Sequence, residues 1–242
     1  MNKNLKIIIL LFYIGIILIS CQKFNSNNHF YPSPEIDKEK NHDSPIYIGV
    51  FGGSLSSTTY SEAGKNMWRD SLGPKFIIET KGNGGAGFSS LTKRPVYIQI
   101  DESRPYDVYI LWASLNDYYF HYSIYQKDNI GDLLSNDLTT QSGGINFCYE
   151  LIRNKNPKAI ILFFNTLPNF AENKTLIEPY VKAQIDICNR LNIPYLDQNS
   201  LSGLTENNFY LFFLPDKVHL NENGYKFIAP LQIKFLKYHL LK

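Results

Sequence analysis

The chain has 242 residues, 44% of them apolar and 19% charged, a composition that suits one globular domain with a full core. Its 24 Lys and Arg against 22 Asp and Glu give a formal net charge of +2 with no dense basic stretch, which excludes nucleic acid as the expected partner. Three cysteines and five histidines without metal-ligand spacing exclude a metal centre, and no organic cofactor is expected.

The first six residues carry Lys3 and Lys6, and an apolar run follows from Ile7 to Ile19. A basic start and a short apolar stretch read as a signal peptide, too short for a comfortable membrane span. The run ends in Leu18-Ile19-Ser20-Cys21, which resembles a bacterial lipobox. That resemblance implies a leader over 1–20, acylation of Cys21, and an extracytoplasmic protein held to a bacterial membrane by lipid, in the periplasm or at the cell surface. Without Lys3 and Lys6, the mature chain would hold 22 basic residues against 22 acidic ones, a net charge of zero. Residues 21–44 are polar, proline-containing and aperiodic, so they read as a tether to a domain over 45–242.

Within that domain, Ile46-Tyr47-Ile48-Gly49-Val50-Phe51 stops at Gly52-Gly53-Ser54-Leu55, a buried strand feeding a tight turn. Ser54 is the candidate nucleophile, although glycine and serine are also ordinary turn residues. Tyr60 to Asp70 reads as a helix and Phe76 to Thr80 as a second strand. The cluster Gly82-Asn83-Gly84-Gly85-Ala86-Gly87 follows at its end. It lacks the Lys-Ser or Lys-Thr of a phosphate loop. Gly82, Gly84 and Gly87 have dinucleotide-fingerprint spacing but no clear acidic partner. Backbone N–H groups offered to an oxyanion are the preferred reading.

Val96 to Ile100 alternates without a clear place, and Asp107 to Trp112 is a buried strand leading into Ala113-Ser114-Leu115-Asn116-Asp117. The Asn116-Asp117 pair reads as a turn or cap, or as an amide aimed into a cleft. The aromatic stretch from Tyr118 to Gly144 reads as a long loop and substrate wall. A helix over Ile145, Cys148, Tyr149 and Ile152, a strand over Ala159 to Phe164, a helix over Ile177, Val181, Ile185 and Cys188, and a short strand from Ile193 to Leu196 complete an alternating pattern. Cys148 and Cys188 fall on apolar helix faces, as buried free thiols do. Asp216 and His219 precede a last helix from near Asn221 to about Leu240, expected to bend at Pro230.

Gly52-Gly53-Ser54-Leu55, the Gly84 to Gly87 cluster, Ser114-Leu115-Asn116-Asp117 and Asp216-Lys217-Val218-His219 stand in the order of the four sequence blocks of the SGNH, or GDSL-type, hydrolases. The domain resembles that family from Ile46 to its end, with two departures. Gly53 stands where the family has Asp, and Ser114 where it has Gly. The resemblance implies a flavodoxin-like three-layer α/β/α fold with a parallel sheet of about five strands. It also implies a catalytic Ser54, His219 and Asp216, and an oxyanion hole of the Ser54 N–H, the Asn116 amide and the Gly87 N–H, with Gly85 as the alternative. The implied activity is carboxylic ester hydrolysis through an acyl-serine, with acetyl groups on oligosaccharides or other small molecules as the leading substrates. A lipid esterase, an acyltransferase and a non-catalytic carbohydrate-binding lipoprotein are the alternatives. Oligomeric state is left open.

Overall fold

The computed structural model describes residues 44–125, 130–172 and 174–241. The leader, Cys21 and nearly all of the tether lie outside the described residues. Among the described residues, no helix is long and apolar enough to cross a membrane.

The parallel sheet contains β1 (Ile46–Gly52), β2 (Phe76–Thr80), β3 (Val108–Trp112), β4 (Ile160–Phe164) and β5 (Tyr195–Leu196), in the order β2-β1-β3-β4-β5. Every residue of β3 and β4 is buried, because a parallel sheet covered on both faces offers its strands no solvent side. Side chains still alternate between two cores. Ile48, Val50, Ile110, Trp112, Leu162 and Phe164 point into one core, and Phe51, Tyr109, Leu111 and Phe163 into the other.

The helices sort accordingly. α1 (Ser54–Ser57) continues the turn after β1, and α2 (Ser61–Leu72) packs against the last helix, α9 (Glu222–Leu240). The Asn221 side chain caps α9 by accepting the Gly224 N–H at 2.9 Å, and Pro230 does not end the helix. On the other face lie α3 (Val96–Asp101), α5 (Gln141–Lys155) and α6 (Lys174–Leu191). Cys148 of α5 and Cys188 of α6 are buried free thiols, and burial pushes both well above the usual thiol range.

Two segments differ from the sequence reading. Val96 to Ile100 is helical, burying Val96, Gln99 and Ile100 at helical spacing. The expected loop from Tyr118 begins inside α4 (Asn116–Tyr125), where a run of tyrosines, apolar rings with polar tips, gives the sequence no clear helical periodicity. Two short helices, α7 (Gln198–Leu201) and α8 (Phe209–Phe212), lie between β5 and α9. In this strand order the chain reverses direction across the sheet between β1 and β3, and ligands of such sheets bind at the carboxyl ends of those strands.

Candidate active site

Ser54 sits two residues beyond the end of β1, after the chain turns sharply at Gly52. A Cβ on Gly52 would lie 2.3 Å from the Trp112 carbonyl oxygen, so β3 leaves no space for a side chain there. Gln99 of α3 holds the same peptide from the other side. Its Oε1 accepts the Gly52 N–H at 3.2 Å, and its Nε2 donates to the Gly52 carbonyl at 3.1 Å. Lys65, 1% exposed, donates to the Ser56 carbonyl at 3.0 Å and to Thr80 Oγ1 at 2.6 Å, with Glu62 as its ion-pair partner at 2.6 Å. Burial lowers the Lys65 pKa, against the opposing pull of Glu62. The Tyr225 hydroxyl donates to the Leu55 carbonyl at 2.8 Å. Sheet, helix and side-chain contacts thus fix the direction in which Ser54 projects.

Asp216 and His219 lie on the loop between α8 and α9, closed by an antiparallel bridge between Phe213 and Leu220. Asp216 Oδ1 accepts the Val218 and His219 N–H groups, each at 2.9 Å. Asp216 Oδ2 lies 2.7 Å from His219 Nδ1, and His219 Nε2 lies 2.7 Å from Ser54 Oγ. With Asp216 ionised, its partner Nδ1 carries the proton, so Nε2 is free to accept from the serine hydroxyl. Partial burial opposes the Asp216 charge, but the hydrogen bonds from His219 and Val218 outweigh it and hold the carboxyl below its ordinary value.

On the opposite wall, Asn116 opens α4 and its Nδ2 donates to the Ala86 carbonyl at 2.7 Å. Asp117, 1% exposed, accepts the Phe88 N–H at 3.0 Å and the Ser89 N–H at 2.7 Å, fixing the glycine loop from below. Gly87 donates its N–H to Thr92 Oγ1 at 2.9 Å. Three successive amides, at 87, 88 and 89, are therefore turned away from Ser54 into buried polar partners. Gly87 does not supply an open N–H in this conformation, contrary to the motif-based expectation, and neither it nor Gly85 lines the cleft. The Ser54 N–H, at the first position of α1, makes no hydrogen bond among the described residues.

A cleft of about 300 Å³ joins the two walls, with Ser54, Asn116 and His219 beside Leu115, Leu167 and Val218. Pro168 and Asn169 separate it from a second groove of about 790 Å³ and line both. Among the described residues, no group of three or more His, Cys, Asp and Glu could hold a metal ion.

Residues 50–227 match the model of the GDSL-like lipase/acylhydrolase family. This chain belongs to that family. Among solved structures, it is similar to a Lactobacillus plantarum protein at TM-score 0.66 and 16% identity, over 82% of this chain and 100% of that one. It is likewise similar to a lipase/acylhydrolase from Enterococcus faecalis at TM-score 0.59 and 13% identity, over 80% and 96% of the two chains. A member of the lipolytic G-D-S-L family from Veillonella parvula aligns at TM-score 0.55 and 15% identity, over 81% and 99%. At such identities these neighbours speak for the fold. No curated protein matches the chain.

For this GDSL-like chain, the structure brings Ser54, Asn116, Asp216 and His219 to one cleft from separate strand ends and the last loop. Membership in the family makes the chain an ester hydrolase in the general sense. Gln99 and Lys65 escaped the motif reading, and Asp117 stood in its third block without a role of its own, yet each holds a piece of the site. Gln99 lay in a segment of unassigned structure, Lys65 looks like any helix-surface lysine, and Asp117 reads equally well as a helix cap. The Asn-Asp pairing at the end of β3 was the one available signal for Asp117.

Proposed function

We propose that the chain is a serine esterase that removes short acyl groups, acetyl foremost, from carbohydrates through an acyl-serine intermediate. The observation that carries this reading is the continuous relay from Asp216 to His219 to Ser54, with both side-chain contacts at 2.7 Å. His219 Nε2 takes the Ser54 proton as Oγ attacks the ester carbonyl carbon. Asp216 keeps the imidazole in the required tautomer and stabilises the imidazolium. The oxyanion takes the Ser54 N–H and the Asn116 amide. Collapse expels the alcohol oxygen, which receives the proton from His219. Water, deprotonated by the same nitrogen, then attacks the acyl-serine and releases the acid.

Two features support the substrate class. The cleft beside Ser54 is walled by Leu115, Leu167 and Val218 and suits a small acyl group. The adjoining groove presents Asn199, Thr205 and Glu206 beside the Phe209 ring, a mixture that suits a hydroxyl-rich alcohol. A second reading, an amphiphilic or lipid ester, is favoured by Leu201, Tyr210 and Leu211, which are 60%, 67% and 50% exposed on helices near that groove. We also propose that acylated Cys21 tethers the enzyme to a membrane. Cell fractionation of Cys21→Ala checks this, with release from membranes expected and unchanged retention overturning it.

Nitrophenyl esters of rising chain length and acetylated oligosaccharides, assayed with the intact chain beside Ser54→Ala, test the esterase reading. Nitrophenol release that falls with acyl chain length and acetate release from the oligosaccharides are expected, both vanishing in Ser54→Ala. Activity that persists in Ser54→Ala overturns the serine assignment, and preference for long chains moves the substrate to the second reading. Acyl transfer to an added sugar at the expense of hydrolysis would make the enzyme a transferase. Sugar binding without turnover would make it a binding protein.

A further inference from the structure

Gly53 and Ser114 differ from the family blocks, and the structure places them against one another. A Cβ on Gly53 would lie 2.8 Å from Ser114 Oγ, 2.7 Å from Asn116 Nδ2 and 2.6 Å from the Ala86 carbonyl oxygen, all closer than carbon atoms are found to such neighbours. The space that a side chain at 53 would need is therefore filled from β3's end by the serine hydroxyl and the Asn116 amide. Ser114 is only 5% exposed. Its hydroxyl donates to the Ala86 carbonyl at 3.0 Å and accepts the Asn116 N–H at 3.4 Å. Asn116 Nδ2 donates to the same carbonyl at 2.7 Å.

We infer that Ser114 is a positioning residue for the Asn116 amide, and that the bare Cα of Gly53 makes room for it. Ala86 anchors two donors side by side, and the serine hydroxyl ties the Asn116 backbone to the same point. The Asn116 amide nitrogen carries two hydrogens. One is spent on Ala86, and the other has no acceptor among the described residues on the wall facing Ser54. Holding the amide by its backbone and by one hydrogen leaves the second in a fixed direction, which is what preorganised oxyanion stabilisation requires. The inference rests on the proposed role of Asn116 as an oxyanion donor.

The test is a double-mutant cycle on nitrophenyl acetate with the intact chain, comparing Ser114→Ala, Asn116→Ala and both together, with Ser54→Ala alongside. Asn116→Ala should lower kcat by roughly 10²-fold or more. Ser114→Ala should lower kcat by about tenfold with KM changed less than about twofold, the pattern of an interaction realised in the transition state. In the Asn116→Ala background, Ser114→Ala should add less than about a further twofold, because its effect passes through the amide. Ser114→Gly also removes the hydroxyl and serves if the alanine variant does not fold. Losses that multiply in the double variant, an effect on KM alone, or no loss in Ser114→Ala would each overturn the inference. A dead Ser54→Ala beside a near-native Asn116→Ala would leave the esterase reading standing and remove this one. An active Ser54→Ala would remove the esterase reading itself.

Discussion

The two walls of the cleft are built on opposite principles. The acid-base wall is local. Asp216 and His219 are three residues apart, their contacts close within one turn, and their side chains are 46% and 30% exposed. The donor wall is non-local and buried. Asn116 and Asp117 bind a loop about thirty residues earlier in the chain, and Asp117 is 1% exposed. On the proposed mechanism, chemistry should be lost from the first wall without loss of fold, whereas the second should couple fold to chemistry.

The largest effect should come from His219→Ala, which removes the proposed base. We expect kcat to fall on the order of 10⁴-fold or more, with thermal stability nearly unchanged in calorimetry because the ring is partly exposed. A large loss of stability would show that this loop is a structural staple as well. Asp117→Ala should behave in the opposite way. It leaves the Phe88 and Ser89 N–H groups without their acceptor in a buried setting, at a cost of about 2–4 kcal/mol by denaturant unfolding. Asp216→Ala should change stability by less than about 1 kcal/mol, as is usual for exposed ion pairs. Equal destabilisation by the two aspartate variants would break the contrast.

The smallest effect lies away from the cleft. Glu79 meets the Tyr106 hydroxyl at 2.7 Å and forms ion pairs with Arg104 and Lys81. The Tyr106 hydrogen bond, followed by the two cations, overcomes desolvation and lowers the carboxyl from 4.5 to about 2. A carboxyl lowered on folding stabilises above its unfolded pKa, and that contribution fades as pH falls toward the folded value. The melting temperatures of wild type and Glu79→Gln should therefore differ most above about pH 4.5 and converge as the pH falls toward about 2, with kcat unchanged at neutral pH. A gap that widens in acid would contradict this.

The same contrast between local and distant contacts decides what could be read from the sequence. Val108 to Trp112 and Ala159 to Phe164 stood out as strands because a doubly covered sheet demands unbroken apolar runs. Asp216 and His219 stood out because their pairing is three residues long. The role of Gln99 at Gly52 could not be seen, since the two are 47 residues apart and Val96 to Ile100 alternates as a strand would. The direction of the Gly87 N–H was equally hidden, because it depends on Thr92 and on Asp117 drawing away its neighbours. The helical start of the tyrosine stretch at Asn116 was masked by rings with polar tips.

Labelling with a fluorophosphonate tests the central claim most directly, because such reagents phosphonylate an activated serine hydroxyl. With the native chain and with His219→Ala, the labelled peptide is identified by mass spectrometry and its rate of formation followed. The account predicts label on Ser54 alone in the native chain, and a rate lower by several orders of magnitude in His219→Ala. Label on another serine, or equal rates in the two proteins, would contradict it.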